Sequence, residues 1–210
     1  MRRYWTTVNA HVGSASDPAH QFGFTQMDWF AAELDKAAAN GDAVWVLGHV
    51  PGDAWLPEHS LRYQQLVEKH AGVIQGQFYG HDHQDGVKLT RACNATAPGN
   101  ATPTPTPTAA TDCSGNATGV MWVGPSLTEG WPSENPALRV MEYEPGDGGF
   151  RFTAAKTYSA DLAAANADGK VSWVLEYDTA EAFGMPDISA RSFERWVTQQ
   201  MAVNATAFRG

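Results

Sequence analysis

Positive charge is scarce in this chain: 14 Lys and Arg stand against 23 Asp and Glu, a formal net charge of −9. A nucleic-acid groove needs clustered Lys and Arg to replace phosphate counterions, so that class of partner is excluded. Long apolar runs are absent too. None approaches the ~20 residues a helix needs to cross a bilayer, which excludes a helical membrane span. Charge is low overall at 18% while hydrophobic residues reach 43%, and this excludes wholesale disorder. The 210 residues suffice for one cored domain with an appendage. Histidine is missing beyond residue 83, where the last of seven falls. Acidity does not exclude an anionic substrate, because bound metal cations can supply positive charge locally.

Cysteine is reduced to Cys93 and Cys113, and what surrounds them is informative. Asn94, Asn100, Asn116 and Asn204 each open an Asn-x-Thr glycosylation sequon. Thr102-Pro103-Thr104-Pro105-Thr106-Pro107-Thr108 reads as extended, polyproline-like chain open to O-glycosylation. Paired cysteines and sequons together point to an oxidising compartment, either secreted or a lysosomal or vacuolar lumen. A Cys93–Cys113 bridge would close a loop of about 20 residues and contribute on the order of 3 kcal/mol. A cysteine outside this chain is an equally open partner for Cys93. A signal peptide is not evident, since Met1-Arg2-Arg3 leads into Tyr4-Trp5-Thr6-Thr7-Val8 without an apolar stretch. The expectation is export by another route or a chain that is not the whole precursor.

Residues 4–8 read as a short strand and 9–24 as loop. Thr25 suits a helix N-cap, with Asp28 three residues on. Met27, Phe30, Ala31, Leu34 and Ala38 recur at helical spacing, and Gly41 suits the stop. Ala43–Leu47 is a continuous apolar run, read as a strand covered on both faces. A helix over 60–70 is expected to bury Leu61, Leu66, Val67 and His70 before a strand at 73–79. This strand–helix alternation is that of an α/β layered fold. Beyond residue 85 the helices drop out. Strands are expected at 87–91, 120–123, 138–143, 150–157 and 171–177, with a hairpin turn at Gly146–Gly149. Helices follow at 179–183 and 192–203.

Two glycine–histidine sites follow buried strands, where open α/β sheets place their ligands. His49 ends the 43–47 strand, and His81 and His83 end the 73–79 strand. In extended chain, residues i and i+2 face the same way, so His81 and His83 are expected to aim together while Asp82 faces away. Neutral imidazole suits zinc and similar metals. His11 and His20 fall in a polar loop, and His59 and His70 flank a helix. Asp53 and Asp85 adjoin the motifs, either as solvated loop carboxylates or as partners orienting the imidazoles.

Gly48-His49-Val50-Pro51 followed by Gly80-His81-Asp82-His83 resembles the last two metal motifs of the calcineurin-like metallophosphoesterases. That family more often writes the final motif Gly-His-Thr-His, so Asp82 is a departure at a non-ligand position. Further stretches resemble the acid sphingomyelinase-like branch. These are Asp17-Pro18-Ala19-His20-Gln21 before Trp29-Phe30, then Gln77-Phe78-Tyr79-Gly80-His81 with Pro125-Ser126, and Asn135-Pro136-Ala137-Leu138-Arg139-Val140. Tyr177, Ala182-Phe183-Gly184-Met185-Pro186-Asp187 and Ser192-Phe193-Glu194-Arg195-Trp196 resemble the branch's small helical C-terminal region. The likeness runs from Val8 to Met201 and leaves out the insertion at 93–118.

The resemblance implies an α/β (α+β) fold, a partial two-layer β-sandwich flanked by helices, with residues 1–160 as the C-terminal half of the domain and 161–210 as the helical region. It implies a hydrolase acting on a phosphodiester, sphingomyelin first among candidates, at a two-zinc centre that clamps the phosphoryl group and activates water. His49 and His81 would ligate one Zn2+ and His83 the other. Trp131, in the 125–132 loop, would line the substrate rim. Polyphosphate or nucleotide chemistry and a transient membrane-surface contact are compatible with the same centre. The family's earlier set, Asp-x-His, Gly-Asp and Gly-Asn-His, does not precede Gly48, and Asn9-Ala10-His11 is no substitute. The expectation is therefore a chain beginning midway through the domain, without its general acid, inactive alone, and with an exposed sheet edge. The competing reading is a non-catalytic secreted glycoprotein that retains half a metal site.

Overall fold

A computed structural model describes residues 22–93, 113, 115–128, 135–146 and 149–203. Helix α1 (Phe22–Asn40) begins three residues before Thr25, which therefore lies inside the first turn and is no cap. Its buried seam is Met27, Leu34 and Ala37 with Phe30 partly buried, whereas Ala38, expected on that seam, faces out. Gly41 ends the helix at φ 73°, a left-handed conformation suited to a residue without Cβ. Strand β1 (Val44–Leu47) follows, then a 3-10 turn (Gly52–Ala54) and helix α2 (Pro57–Lys69). Helix α2 starts earlier than expected, with proline in its first turn, where no N–H partner is needed. Its buried seam is His59, Tyr63, Val67 and the capping His70, while Leu61 and Leu66 are only partly buried.

Strands β2 (Ile74–Tyr79), β3 (Gly86–Arg91) and β4 (Ala117–Val123) complete a four-stranded sheet in the order β1-β2-β4-β3. β1, β2 and β4 are parallel, and β3 returns antiparallel to β4. The middle of this sheet alternates as a strand covered on both faces should. Met121 and Val123 join Met27, Tyr63, Val67 and Tyr79 under the helices, while Val120 and Trp122 face the other way. β1 corrects the expectation of burial on both faces. Among the described residues it is an edge strand, with Trp45 46% and Leu47 74% exposed. Its continuous apolar run comes from its parallel setting, whereas its exposure comes from its place in the sheet order.

The second sheet is antiparallel, in the order β5-β6-β7: β5 (Ala137–Gly146), β6 (Gly149–Ala160) and β7 (Trp173–Asp178). Phe152 and Ala155 of β6 pack on Val120 and Trp122, and this core is closed by Met185, Ile188 and Phe193. Phe193 belongs to helix α5 (Ala190–Val203), which follows the short helices α3 (Leu162–Asp168) and α4 (Thr179–Phe183). The fold is thus the expected mixed α/β arrangement of two sheets and helices. Helix α3 is an element the sequence analysis overlooked. Its signals were Asp161, whose side chain caps Ala164 N–H, and Gly169 in the left-handed C-terminal position. Cys93 and Cys113 are bridged to each other. No described helix is long and apolar enough to cross a membrane.

Candidate metal centre

Gly48 and Gly80 carry the two histidine loops off neighbouring parallel strands, at their carboxyl ends. The loops are laced together by backbone. Gly48 N–H donates to Phe78 O at 3.0 Å and Gly80 N–H to His49 O at 2.9 Å. Glycine at 48 has a specific cause: a Cβ there would meet the Tyr79 ring at 2.5 Å. Tyr79 donates to the Tyr63 hydroxyl (2.7 Å), which donates to Gln77 Oε1 (2.6 Å). Burial pushes the Tyr79 hydroxyl up to about 12, against the Tyr63 hydrogen bond, which lowers it. This chain of neutral groups holds the Tyr79 ring in place beside Gly48.

The structure brings His49 and His81 together. Nε2 of His49 and Nδ1 of His81 stand 3.2 Å apart, with ring planes at 81°. This is a direct ring–ring hydrogen bond, its donor set by the tautomer, and its length is close to the roughly 3.3 Å between two nitrogens bonded tetrahedrally to one zinc. The expectation for His83 rested on extended backbone and is corrected. His81 and His83 have φ of 73° and 58°, both left-handed. Asp82 N–H donates to Gly80 O at 2.9 Å, which turns the chain at once. Alternation along a strand therefore does not apply to these two side chains. Among the described residues no set of three His, Cys, Asp or Glu converges in a way that could hold an ion.

The carboxylates near the motifs are engaged elsewhere. Asp53 and Asp82 both meet Lys88 Nζ, at 3.0 and 3.1 Å. Asp85 accepts from Thr157 Oγ1 (2.7 Å) and the Tyr177 hydroxyl (2.6 Å), and pairs with Arg139, which is nearly buried. Asp85 is thus partly solvated, and these partners are not imidazoles: it pins the histidine loop to the second sheet. Gly41-Asp42, a Gly-Asp ahead of Gly48, is the C-terminal turn of α1 at the opposite end of β1. His70 caps α2, with Nε2 3.2 Å from Asp35, and His59 is buried in the same helix. Asn116 is exposed. His11, His20, Asn94, Asn100, Trp131, Asn204 and the expected strand at 4–8 lie outside the described residues.

A largely parallel sheet with histidine loops at its carboxyl edge, backed by an antiparallel sheet, defines the class: a partial α+β fold of metallophosphoesterase type. Residues 123–209 match the family described as the acid sphingomyelin phosphodiesterase C-terminal region, a span that includes β5 and β6 as well as the helices. Acid sphingomyelinase-like phosphodiesterase 3b of Homo sapiens is 35% identical over 89% of this chain and 39% of its own length. Cyclic GMP-AMP phosphodiesterase SMPDL3A of Rattus norvegicus is 26% identical over 92% of this chain and 40% of its own. Sphingomyelin phosphodiesterase 2 of Caenorhabditis elegans is 30% identical over 87% of this chain and 27% of its own. Within the class, the chain is similar to proteins of the acid sphingomyelinase-like branch. It spans about two fifths or less of the length of these relatives.

Proposed function

We propose that this chain carries the histidine half of a metal-dependent phosphodiesterase centre. The 3.2 Å spacing of His49 Nε2 and His81 Nδ1 supports this most directly. The pair fits zinc as two nitrogen donors, and His83, on the same loop, is the donor this reading assigns to a second ion. Bound divalent metal would polarise a phosphoryl oxygen and lower the pKa of water. The chain's own part is to hold the two imidazoles. Backbone hydrogen bonds lace their loops, the Tyr79 ring, held by Tyr63 and Gln77, packs against Gly48, and Asp85 fastens the second loop to β5, β6 and β7.

The substrate class in this reading is a phosphodiester, with a sphingolipid first and a cyclic dinucleotide second, following the names of the relatives. A lipid substrate is met at a membrane surface, and exposed Trp173, Val174 and Leu175 on β7 suit transient contact there. Secretion or a lysosomal or vacuolar lumen, with glycans on the sequons, agrees with the Cys93–Cys113 bridge. Full hydrolysis needs oxygen ligands and a general acid from outside the described residues.

Zinc binding by the whole chain tests this. One ion should bind, and His49→Ala and His81→Ala should each abolish it. Zinc affinity indifferent to both substitutions overturns the assignment. A second reading, a glycoprotein that keeps half a site without turnover, is favoured by the commitment of Asp53, Asp82 and Asp85 to Lys88 and Arg139. Hydrolysis of sphingomyelin or a cyclic dinucleotide by the zinc-loaded chain overturns that second reading.

A further inference from the structure

Asp82 is where the second histidine motif departs from its more usual form, and the reading above gives it no task. It stands between two non-glycine residues at positive φ, His81 and His83. Such backbone is strained and persists only where the surroundings hold it. Part of that hold is visible. Lys88, on β3, reaches Asp82 Oδ2 at 3.1 Å and Asp53 Oδ2 at 3.0 Å. Asp53 belongs to the 3-10 turn just after His49-Val50-Pro51, and Asp82 lies inside the other histidine loop. One ammonium group therefore spans both loops. Burial alone would lower the Lys88 pKa, but its two carboxylates more than offset this and hold it above the usual lysine value.

We propose that Lys88 is a positioning residue that, by holding Asp53 and Asp82 at once, sets the spacing of His49 against His81. The inference rests on the metal reading above. Magnitudes separate this role from simple stabilisation. The three side chains are 26%, 41% and 29% exposed, and pairs of that exposure add little to global stability. Groups that orient metal ligands typically change metal affinity by about 10–100-fold. Lys88 should thus matter far more to the histidine pair than to the fold.

The test uses the full chain with its disulfide intact, Co2+ as a visible-absorption probe, and 15N spectra of the metal-free histidine rings. Lys88→Met should weaken Co2+ binding about tenfold or more. It should lower Tm by no more than about 4 °C. Lys88→Arg should restore most of the affinity. Adding Asp82→Asn to Lys88→Met should weaken binding no further, because both remove one tie. A folded Lys88→Met chain with unchanged Co2+ affinity overturns the proposal. So does a loss of affinity that Lys88→Arg fails to restore. Should Lys88→Met not fold, Asp53→Asn and Asp82→Asn carry the test, each expected to weaken Co2+ binding, and unchanged affinity in both overturns it. If the unsubstituted chain takes up no Co2+, the metal reading falls by itself. The tie is then judged on the metal-free spectra: altered His49 and His81 ring resonances in Lys88→Met support it, and unaltered ones overturn it.

Discussion

The two sheets divide the work. The first is mostly parallel, carries two helices on one face, and ends in the histidine loops. The second is antiparallel and bears no histidine, yet it supplies Arg139, Thr157 and Tyr177, which grip Asp85. Parallel strands release their loops at one shared edge, which gathers ligands from residues far apart in sequence. Antiparallel hairpins build a rigid ladder from local connections, and β5 and β6 pair from Gly146↔Gly149 to Ala137↔Ser159. One layer thus presents the chemistry and the other braces it.

The sharpest way to break this division is Asp85→Ala, which leaves the Arg139 charge buried without its carboxylate. Arg139 is 6% exposed at its side chain. A loss of about 3 kcal/mol in urea unfolding is expected, the lower end for a broken buried pair because Asp85 itself is partly solvated. Next is Gly48→Ala, which drives a methyl group into the Tyr79 ring and should destabilise by about 2 kcal/mol. Tyr79→Leu in the same chain should recover part of that loss, and strict additivity of the two would refute the steric cause. Tyr63→Phe leaves Gln77 Oε1 without its buried donor and should cost about 1–2 kcal/mol in the same assay.

The smallest effect falls on the bracing side. Asp187 accepts from Ser189 N–H (3.1 Å) and Ser192 Oγ (2.6 Å) at the start of α5. Burial raises its pKa, but hydrogen bonds from Ser189 and Ser192 prevail and hold it below the ordinary 3.8. A carboxyl with a lowered folded pKa contributes stability that is present above 3.8 and lost as pH falls through the folded value. Asp187→Ala should therefore cost about 1 kcal/mol at neutral pH. The gap should narrow as pH falls below the ordinary 3.8, as thermal melts along a pH series would show. A gap that stays constant with pH would remove the carboxylate from the account.

Much of this was legible in the residues. Periodicity located α1, β2, β4 and the hairpin, because each has a strong local pattern. Glycine followed by histidine at strand ends marked His49 and His81, since sheet topology alone makes those ends converge. What was not legible depended on neighbours in space. The apolar run of β1 cannot reveal that no described strand lies on its other side. The turn that takes His81 and His83 out of extended geometry is set by hydrogen bonds to His49 O and Gly80 O, one of them from another loop. The grips on Asp85 come from positions more than fifty residues later in the chain. The tyrosine pair joins α2 to β2, and Tyr63 was hidden because its polar tip masked its place on the buried seam.

The β3–β4 pair has a practical corollary. Its Gly86↔Val123 end adjoins the histidine loops, while Arg91↔Ala117, where residues 94–112 are inserted, lies at the far end, roughly 17 Å away by strand rise. Glu194 fastens that root by accepting from Arg91 Nη1 (2.7 Å) and Ala117 N–H (3.1 Å), and Cys93–Cys113 closes it. Each doubling of such a loop adds only about 0.6 kcal/mol of closure entropy. An affinity handle or a fluorophore can therefore be grafted between the two cysteines without disturbing the histidines. Trypsin finds no lysine or arginine from Ala92 to Leu138, so such a graft would survive the digestions used to map the rest of the chain.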